Sequence, residues 1–297
     1  MSKHPIRKND FYIVPVLALL PNKKAKFSLK VEIEEKANKM FFEYDKTLFK
    51  LNQSEVSYNK KGKNTLPDYL EIECIKEFAA DQYIKVMADK TFAGKLKVLA
   101  NDKGHRYRAD VAIVQVTTNI GNGVRRGTPL GRESELEKYL AQSLSKPTFD
   151  TLTLDLSSDT IFNSSFSSAG TIINGRSDAI QDHLNTVLYA KYDSTKNYRN
   201  YYKIYFINEN AGGLYGRAYG IPSTPRLVVV YAVGFKDSTL AHEIFHAMEL
   251  YHSFDNQGEF TFEKDKTDNI MDYSDIATPP IPVISNWQWE ELWNNFD

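Results

Sequence analysis

The chain has 297 residues, of which 42% are hydrophobic and 25% are charged, and these values exclude wholesale disorder. Its 37 Lys and Arg residues balance 38 Asp and Glu residues, so net charge gives no argument for nucleic acid or an anionic membrane as the main partner. The single cysteine excludes an internal disulfide framework, and no apolar run approaches the roughly 18–20 residues that span a bilayer.

The amino terminus has only a superficial similarity to a signal peptide. An apolar run over residues 11–20 follows basic residues, but Asp10 borders it, Pro15 interrupts it and no small-x-small cleavage site follows. We predict an edge strand there, because proline is tolerated at a sheet edge. We also predict secretion without a cleaved signal peptide, with a cytoplasmic location as the alternative.

Residues 1–105 are predicted to form an all-β accessory domain. Apolar and polar residues alternate over residues 27–34 and again over residues 70–74, which is the period of a half-buried strand. Further short strands are expected, separated by turn-rich pieces such as residues 59–64, and the set predicts an immunoglobulin-like (Ig-like) sandwich. Cys74 lies on the apolar side of its strand, so we predict a core cysteine rather than a metal-blocking thiol.

A polar stretch over residues 101–110 marks the boundary to a second domain, residues 106–297. Helices and strands alternate in it, which predicts an α+β domain. The two predicted helical faces are formed by Leu136, Tyr139, Leu140 and Leu144, and, after a cap near Ser177, by Ile180, Leu184, Val187 and Leu188. The predicted strands cover residues 111–116, 152–156, 201–207 and 226–233, and the last is continuously apolar and so expected at the centre of the sheet.

Four glycines, at positions 121, 123, 127 and 131, were compared with phosphate-binding loops. They match neither G-x-G-x-x-G nor G-x-x-x-x-G-K-[ST], and we predict a flexible surface loop.

The chemistry concentrates in residues 239–255, TLAHEIFHAMELYHSFD. His242 and His246 are four positions apart, which places both imidazoles on one helix face and within reach of one Zn2+ at roughly 2.0–2.1 Å. Glu243 lies beside His242 and can act as a general base, as in the pattern H-E-x-x-H.

A third histidine and a later methionine extend the pattern. His252 follows His242 by ten positions, giving H-E-x-x-H-x-x-E-x-x-H, and Met271 lies in the segment NIMDY, two places before Tyr273. This resembles the metzincin zinc peptidases, whose pattern is H-E-x-x-H-x-x-G-x-x-H with a methionine turn. The resemblance implies a zincin fold, one catalytic Zn2+ bound by His242, His246 and His252, Met271 beneath the metal and Tyr273 as an oxyanion helper.

Glu249 stands where the metzincin pattern has glycine. Were the helix to continue, His252 would lie on another face, so we expect the chain to leave the helix at Glu249 or Leu250 in a left-handed conformation, at a cost of roughly 1–2 kcal/mol. Alternative carboxylate ligands lie in charge-dense surroundings that predict a solvated loop. His183 lies beside the apolar face of its helix, and we expect a packed or surface histidine rather than a ligand. These carboxylates are Glu259, Glu263, Asp265 and Asp268.

Three histidine ligands leave a metal position for water, as in catalytic rather than structural zinc sites. We therefore predict a monomeric zinc endopeptidase acting on a protein or peptide, with no nucleic-acid partner and no membrane span. The domain plan resembles secreted bacterial effectors or toxins. The family resemblance also implies an upper edge strand that pairs with extended substrate, and chain order puts it at residues 217–221.

Two alternatives stay open at this point: a catalytically inactive zincin-fold binding or adhesion protein, with Glu249 as a sign of relaxed constraint, and a zinc amidase acting on a cell-wall peptide. At the carboxyl terminus we predict a helix that docks an apolar face and braces the second domain. That face is formed by Trp289, Leu292, Trp293 and Phe296.

Overall fold

The chain divides into two compact units, Met1–Arg106 and Tyr107–Asp297, in the computed structural model. The structure describes residues 3–7, 10–58, 60–220, 226–236, 238–273 and 283–296. It is mostly β-sheet with a few helices, which confirms the β-rich, multidomain character that the sequence predicts.

The described residues of the first unit form strands and one turn of 3-10 helix, at Lys103–His105. Four strands form one sheet in the order β3-β9-β8-β5, and three strands form a second sheet in the order β4-β7-β6. Strands β1 and β2 form an antiparallel pair. The strands are β1 (Lys3–Arg7), β2 (Asp10–Ile13), β3 (Val16–Leu17), β4 (Lys24–Ile33), β5 (Met40–Glu43), β6 (Phe49–Leu51), β7 (Gly62–Cys74), β8 (Gln82–Ala88) and β9 (Thr91–Val98).

The two larger sheets of the first unit enclose one core. Residues of β4 alternate between exposed and partly buried positions, as the period of two predicts. Ile72 of β7, Ile84 of β8 and Val98 of β9 are almost fully buried in the same apolar cluster, so both sheets contribute their inner faces to it. Cys74 is fully buried there and accepts a hydrogen bond from Asn101 Nδ2 at 3.2 Å, which confirms the core cysteine.

Two local predictions for the first unit need correction. Strand β7 begins at Gly62, so the second half of the predicted turn 59–64 belongs to a strand, and Asn59 lies outside the described residues. The amino-terminal apolar run is divided between β2 and β3, because Val14 and Pro15 belong to neither strand. Strand β3 does lie at the edge of its sheet, beside β9, where proline is expected.

The second unit alternates strands and helices. Its strands are β10 (Tyr107–Thr118), β11 (Arg125–Arg126), β12 (Ser145–Asp155), β13 (Ser167–Ser168), β14 (Thr171–Ile172), β15 (Tyr202–Ile207), β16 (Gly216–Ala218) and β17 (Leu227–Tyr231). Its helices are α1 (Glu133–Ala141), α2 (Thr160–Ser165), α3 (Asp178–Tyr192), α4 (Thr239–Ala247) and α5 (Asn286–Asn295).

A mixed sheet forms the centre of this unit. Strands β12, β10, β15 and β17 lie side by side and are parallel, and β16 adds an antiparallel edge to β17. Every residue of β15 and β17 is buried. The apolar run 226–233 was predicted at the centre of the sheet, but β17 lies one strand from the edge, between β15 and β16. That prediction was too long, because Ala232 and Val233 belong to a 3-10 helix, Ala232–Lys236.

Helices cover the sheet largely through the faces that their apolar spacing predicts. The exception is Leu144, which is buried but lies beyond the end of α1 with a φ of 56°. The buried residues of α1 are Leu136, Tyr139 and Leu140, and those of α3 include Ile180, Leu184 and Leu188. Ser177 precedes α3 as expected, but its hydroxyl makes no capping hydrogen bond. Among the described residues, no helix has the length and apolarity needed to cross a bilayer.

Helix α5 docks, and Trp289 and Leu292 of the predicted face are buried as expected, with Trp287 and Gln288 beside them. Trp287, Gln288, Trp289 and Leu292 are its buried residues, whereas Trp293 and Phe296 are partly buried. Helix α5 presents Gln288 inward because the amide of Gln288 bonds the side chain of Asn269, a long-range contact that helical spacing does not reveal.

The predicted flexible glycine loop contains one glycine that is fixed by packing. Gly127 is buried, and its N–H donates to the carbonyl of Val116 at 2.9 Å. A Cβ atom at this position would lie 1.9 Å from the carbonyl oxygen of Phe206, so glycine allows the loop to contact β15. The Ser/Asn/Gly-rich connection that follows β12 likewise contains α2, capped by Asp159 Oδ1, which accepts from Phe162 N at 2.8 Å.

Candidate metal centre

Helix α4 carries the first two histidines of the candidate site. Its residues are buried except for Glu243, which is partly exposed, because the helix packs between β16, β17 and neighbouring helices. His242 and His246 lie one turn apart on the same face, and their side chains are 7% and 8% exposed.

The end of α4 determines where the third histidine lies. Glu249 has a φ of 72°, its N–H donates to His246 O at 2.9 Å, and Leu250 N donates to Phe245 O at 2.9 Å. These two bonds with a left-handed residue between them form a Schellman motif, the usual end of a helix that closes with glycine. The predicted left-handed exit is confirmed, and it turns the chain so that His252 returns towards the helix.

The three imidazoles meet at their Nε2 atoms. His246 Nε2 lies 3.2 Å from His242 Nε2 and 3.1 Å from His252 Nε2. Two nitrogen ligands bound at about 2.0–2.1 Å to a tetrahedral ion lie about 3.3–3.4 Å apart, so the spacing is close to that of ligands sharing one ion. Within the described part of the chain, these histidines are the single group of three metal-ligating side chains so close together.

Each imidazole is fixed through its other nitrogen. His242 Nδ1 bonds Ile270 O at 2.8 Å, His246 Nδ1 bonds Leu250 O at 2.7 Å, and His252 Nδ1 bonds Asp255 Oδ2 at 3.0 Å. Since a carbonyl can only accept, Nδ1 of the first two rings carries the proton. Their Nε2 atoms therefore present lone pairs to each other, as in metal-binding histidines held by outer partners.

Electrostatics favours a cation between these rings. Burial lowers the pKa of His242 to about 4 and that of His246 well below its usual range, so both rings are neutral at physiological pH. Lone pairs of neutral imidazoles repel each other at this separation unless a positive ion lies between them. Imidazole is a ligand for zinc, copper, iron and nickel, and the donor set fits such an ion.

Asp255 is a residue that the sequence analysis missed. Its Oδ2 accepts from both the Nδ1 and the backbone N–H of His252, at 3.0 and 3.2 Å, and so orients the third imidazole. An acidic residue three positions after a proposed histidine ligand was the available indication.

Glu243 lies beside the three rings with its carboxylate held in place. Ala218 N, on the edge strand β16, donates to Glu243 Oε2 at 2.7 Å. Burial raises the pKa of Glu243 to about 7, although the hydrogen bond from Ala218 acts in the opposite direction. Gly216 makes room for this side chain, since a Cβ there would lie 2.9 Å from Glu243 Cγ.

Tyr273 reaches the same point from the other side. Its hydroxyl lies 2.9 Å from His252 Nε2, and the residue is 39% exposed. Burial of the phenol and then the charge of Glu243 raise the pKa of Tyr273, so the group keeps its proton and can donate a hydrogen bond.

The segment with Met271 forms a tight turn under His242. Met271 is fully buried, its N–H donates to Asn269 Oδ1 at 2.9 Å, and the preceding Ile270 supplies the carbonyl that fixes His242. The buried carboxylate of Asp272 accepts from the backbone N–H groups of residues 265, 266, 267 and 273. Asp272 and the Asn269–Gln288 pair are further residues that the sequence analysis missed.

A cleft opens in front of the imidazoles. Its volume is about 520 Å3, and residues 213–220 form one wall, with Arg176, Ser238, Thr239, His242, Glu243, His246, His252 and Tyr273 completing the lining. The predicted edge strand at residues 217–221 corresponds to β16, which begins one residue earlier and ends at Ala218. Ile221 lies outside the described residues.

The other candidate ligands lie elsewhere. Glu259, Glu263, Asp265 and Asp268 are exposed and take no part in the cluster of imidazoles. His183 packs against Phe162 and Phe166 and bonds Asp159 Oδ2 at 3.1 Å, as predicted.

Comparison with known proteins adds little to this geometry. The chain matches no protein-family model and no curated protein. Metalloproteinase-II from Bacteroides fragilis is a similar solved structure, with 12% identity over 93% of this chain and 92% of that chain and a TM-score of 0.40. Domains 4 and 5 of the S-layer protein SbsC have 13% identity over 33% of this chain and 51% of theirs, with a TM-score of 0.21.

The chain thus spans about half the length of that S-layer fragment. One structural neighbour is a metalloproteinase, but TM-scores this low support no conclusion about this chain.

Proposed function

We propose that the chain is a zinc-dependent endopeptidase of the metzincin type, with His242, His246 and His252 as the ligands of one catalytic Zn2+. The supporting observation is the convergence of three Nε2 atoms whose rings are each fixed through Nδ1. A site of this kind has a defined place for a cation before the cation binds.

When bound, zinc supplies Lewis-acid activation of a water molecule and of the substrate carbonyl. Glu243 would act as the general base, taking a proton from the attacking water and returning it to the leaving amine. Ala218 N–H holds the Glu243 carboxylate in one orientation, and the hydroxyl of Tyr273 donates to the developing oxyanion. Met271 is the buried floor of the site, and the turn around it fixes His242.

An extended peptide is the substrate that suits the cleft. Strand β16 is bonded to β17 along one edge only, and the residues of and around it line the cleft. A peptide can therefore add to the sheet as a further strand. The backbone conformation of Glu249 fits the geometry of the site, so this residue gives no support to the inactive alternative.

We further propose that the first unit is Ig-like and that the protein is a secreted monomer.

Replacement of the proposed base tests the function directly. Glu243→Gln keeps the size of the side chain but cannot accept the proton, so we expect casein cleavage to fall by at least about 100-fold while one zinc per chain stays bound. Zinc content is measured by metal analysis, and cleavage by the wild type must be lost with a chelator and restored by zinc.

Glu249→Gln is the matched control, because it makes the same chemical change six residues away and should retain activity. Undiminished cleavage by Glu243→Gln would contradict the mechanism. Absence of zinc from the wild type after reconstitution would contradict the metal site itself.

A further inference from the structure

The cleft next to the imidazoles is lined by more basic than acidic side chains. Residues 107–297 contain more acidic than basic side chains, yet Glu243 is the one acidic residue among the described residues that line the cleft. Arg176 and Arg217 line the same cleft, and a bound metal ion adds further positive charge.

The two arginines differ in their partners. Arg217 Nη2 bonds Asp178 Oδ1 at 2.7 Å, so most of its charge is compensated. Arg176 is exposed and has no acidic partner within the described part of the chain.

Arg217 also has a donor that is not used. Its Nη1 is buried and makes no hydrogen bond to any described residue. A buried donor without an acceptor costs free energy, and a carboxylate in the cleft would remove that cost.

Arg176 borders two spaces at once. A second cavity of about 330 Å3 adjoins the cleft, and the two share Arg176, Gly213 and Leu214. Strand β16 runs from Gly216 to Ala218, and antiparallel pairing is slightly more stable than parallel pairing. A peptide added antiparallel to β16 would therefore direct its carboxyl-terminal half towards residues 213–215 and Arg176.

We infer that Arg176 recognises an acidic side chain of the substrate on the carboxyl-terminal side of the scissile bond, with Arg217 Nη1 as a second donor. The inference rests on the proposed endopeptidase function and gives it a substrate class, peptides that carry Asp or Glu just after the cleaved bond. Guanidinium groups suit this role because they bind carboxylates through paired N–H donors.

Cleavage of a positional library of internally quenched peptides tests the inference. Each position in turn carries Asp, Asn or Lys, and kcat/KM is measured with the zinc-loaded full chain. At one position after the scissile bond, we expect kcat/KM to be about fivefold higher with Asp than with Asn. This difference should disappear at high salt, because salt screens the ion pair.

Variants of Arg176 then identify the recognising group. Arg176→Gln should reduce the ratio of kcat/KM for the Asp and Asn peptides to about one, and Arg176→Glu should reverse the preference in favour of Lys. Arg108→Gln is the matched control, since Arg108 lies on β10, three strands away from β16, and should keep the preference.

Each outcome is decisive. Equal cleavage of Asp and Asn peptides at every position after the bond, or a preference that survives Arg176→Glu, overturns the inference and leaves the endopeptidase function standing. A preference confined to positions before the bond overturns the proposed direction of binding. Failure of the zinc-loaded wild type to cleave any peptide of the library overturns the proposed function and the inference together.

Discussion

Glu249 has a backbone conformation that side chains other than glycine adopt at a cost. At a φ of 72° its Cβ is crowded, and the strain amounts to roughly 1–2 kcal/mol. Glu249→Gly should therefore raise the free energy of unfolding by about 0.5–1 kcal/mol, because relief of strain exceeds the extra entropy of glycine in the unfolded chain. Urea denaturation of the zinc-loaded protein measures the change.

Glu249→Ala separates strain from charge. It removes the carboxylate but keeps the Cβ, so it should give no comparable gain in stability. An equal gain from alanine and glycine would show that the carboxylate, rather than the backbone, was unfavourable.

Lys203 is a second residue whose environment opposes its usual state. Its side chain is fully buried, and Nζ donates to the carbonyls of residues 198, 199 and 201 without a carboxylate partner among the described residues. Burial, and then the charges of Arg226 and Arg199, lower its pKa to about 7. In the unfolded chain a lysine keeps its proton to about pH 10.4.

Stability should therefore rise with pH between about 7 and 10 through Lys203, because the unfolded chain then binds one more proton than the folded chain. Lys203→Met removes this contribution. The stability of the variant relative to the wild type should fall by about 3 kcal/mol between pH 6.5 and pH 9.5, measured by urea denaturation at each pH. Parallel pH dependences of the two proteins would contradict the lowered pKa.

At the level of elements, strand β16 and helix α4 approach too closely for any residue but glycine at position 216. A Cβ there would lie 2.7 Å from Thr239 Cγ2 and 2.9 Å from Glu243 Cγ. Gly216→Ala should displace the carboxylate of Glu243 and reduce kcat at least about tenfold, since small misplacements of a catalytic group are costly. Zinc content should stay at one per chain.

Gly220→Ala is the control for this variant. Gly220 also lines the cleft, but a Cβ there meets no atom of the described residues within 4 Å, so kcat should be unchanged. A normal kcat for Gly216→Ala would mean that Glu243 tolerates displacement from its bond with Ala218 N–H.

Only part of the candidate site can be predicted from the sequence. Local spacing alone places His242 and His246 on one face, and it requires the chain to turn near Glu249 if His252 is to join them. Ala218, Asp255 and Asp272 act through hydrogen bonds formed after folding, and their residue types are common in any loop or strand. No sequence periodicity identifies these three residues. The sequence therefore predicts the histidines of the site but not the residues whose hydrogen bonds hold the site in place.

On the scale of the whole molecule, strand patterns predicted β-structure but not how strands pair. The alternation in β4 and β7 is a property of each strand, whereas the division into sheets of four and three strands depends on contacts between distant segments. The buried run of β17 predicted an inner position because a strand covered on both faces is apolar throughout. The short strands β11, β13 and β14, of two residues each, carry no such pattern.

Removal of zinc should destabilise one unit and leave the other unchanged. All three imidazoles belong to Tyr107–Asp297, and Met1–Arg106 has its own buried core. A ligand present at about 1,000 times its Kd stabilises the state that binds it by about 4 kcal/mol.

The three tryptophans are Trp287, Trp289 and Trp293, so tryptophan fluorescence reports on the second unit alone. With a chelator, the fluorescence transition should move to lower temperature. The part of the far-UV circular dichroism change that comes from the first unit should keep its transition temperature. His246→Ala should show the low transition with or without chelator. A fluorescence transition temperature that does not change with the chelator would contradict the metal site. If the whole far-UV change shifted to lower temperature, the two units would unfold together.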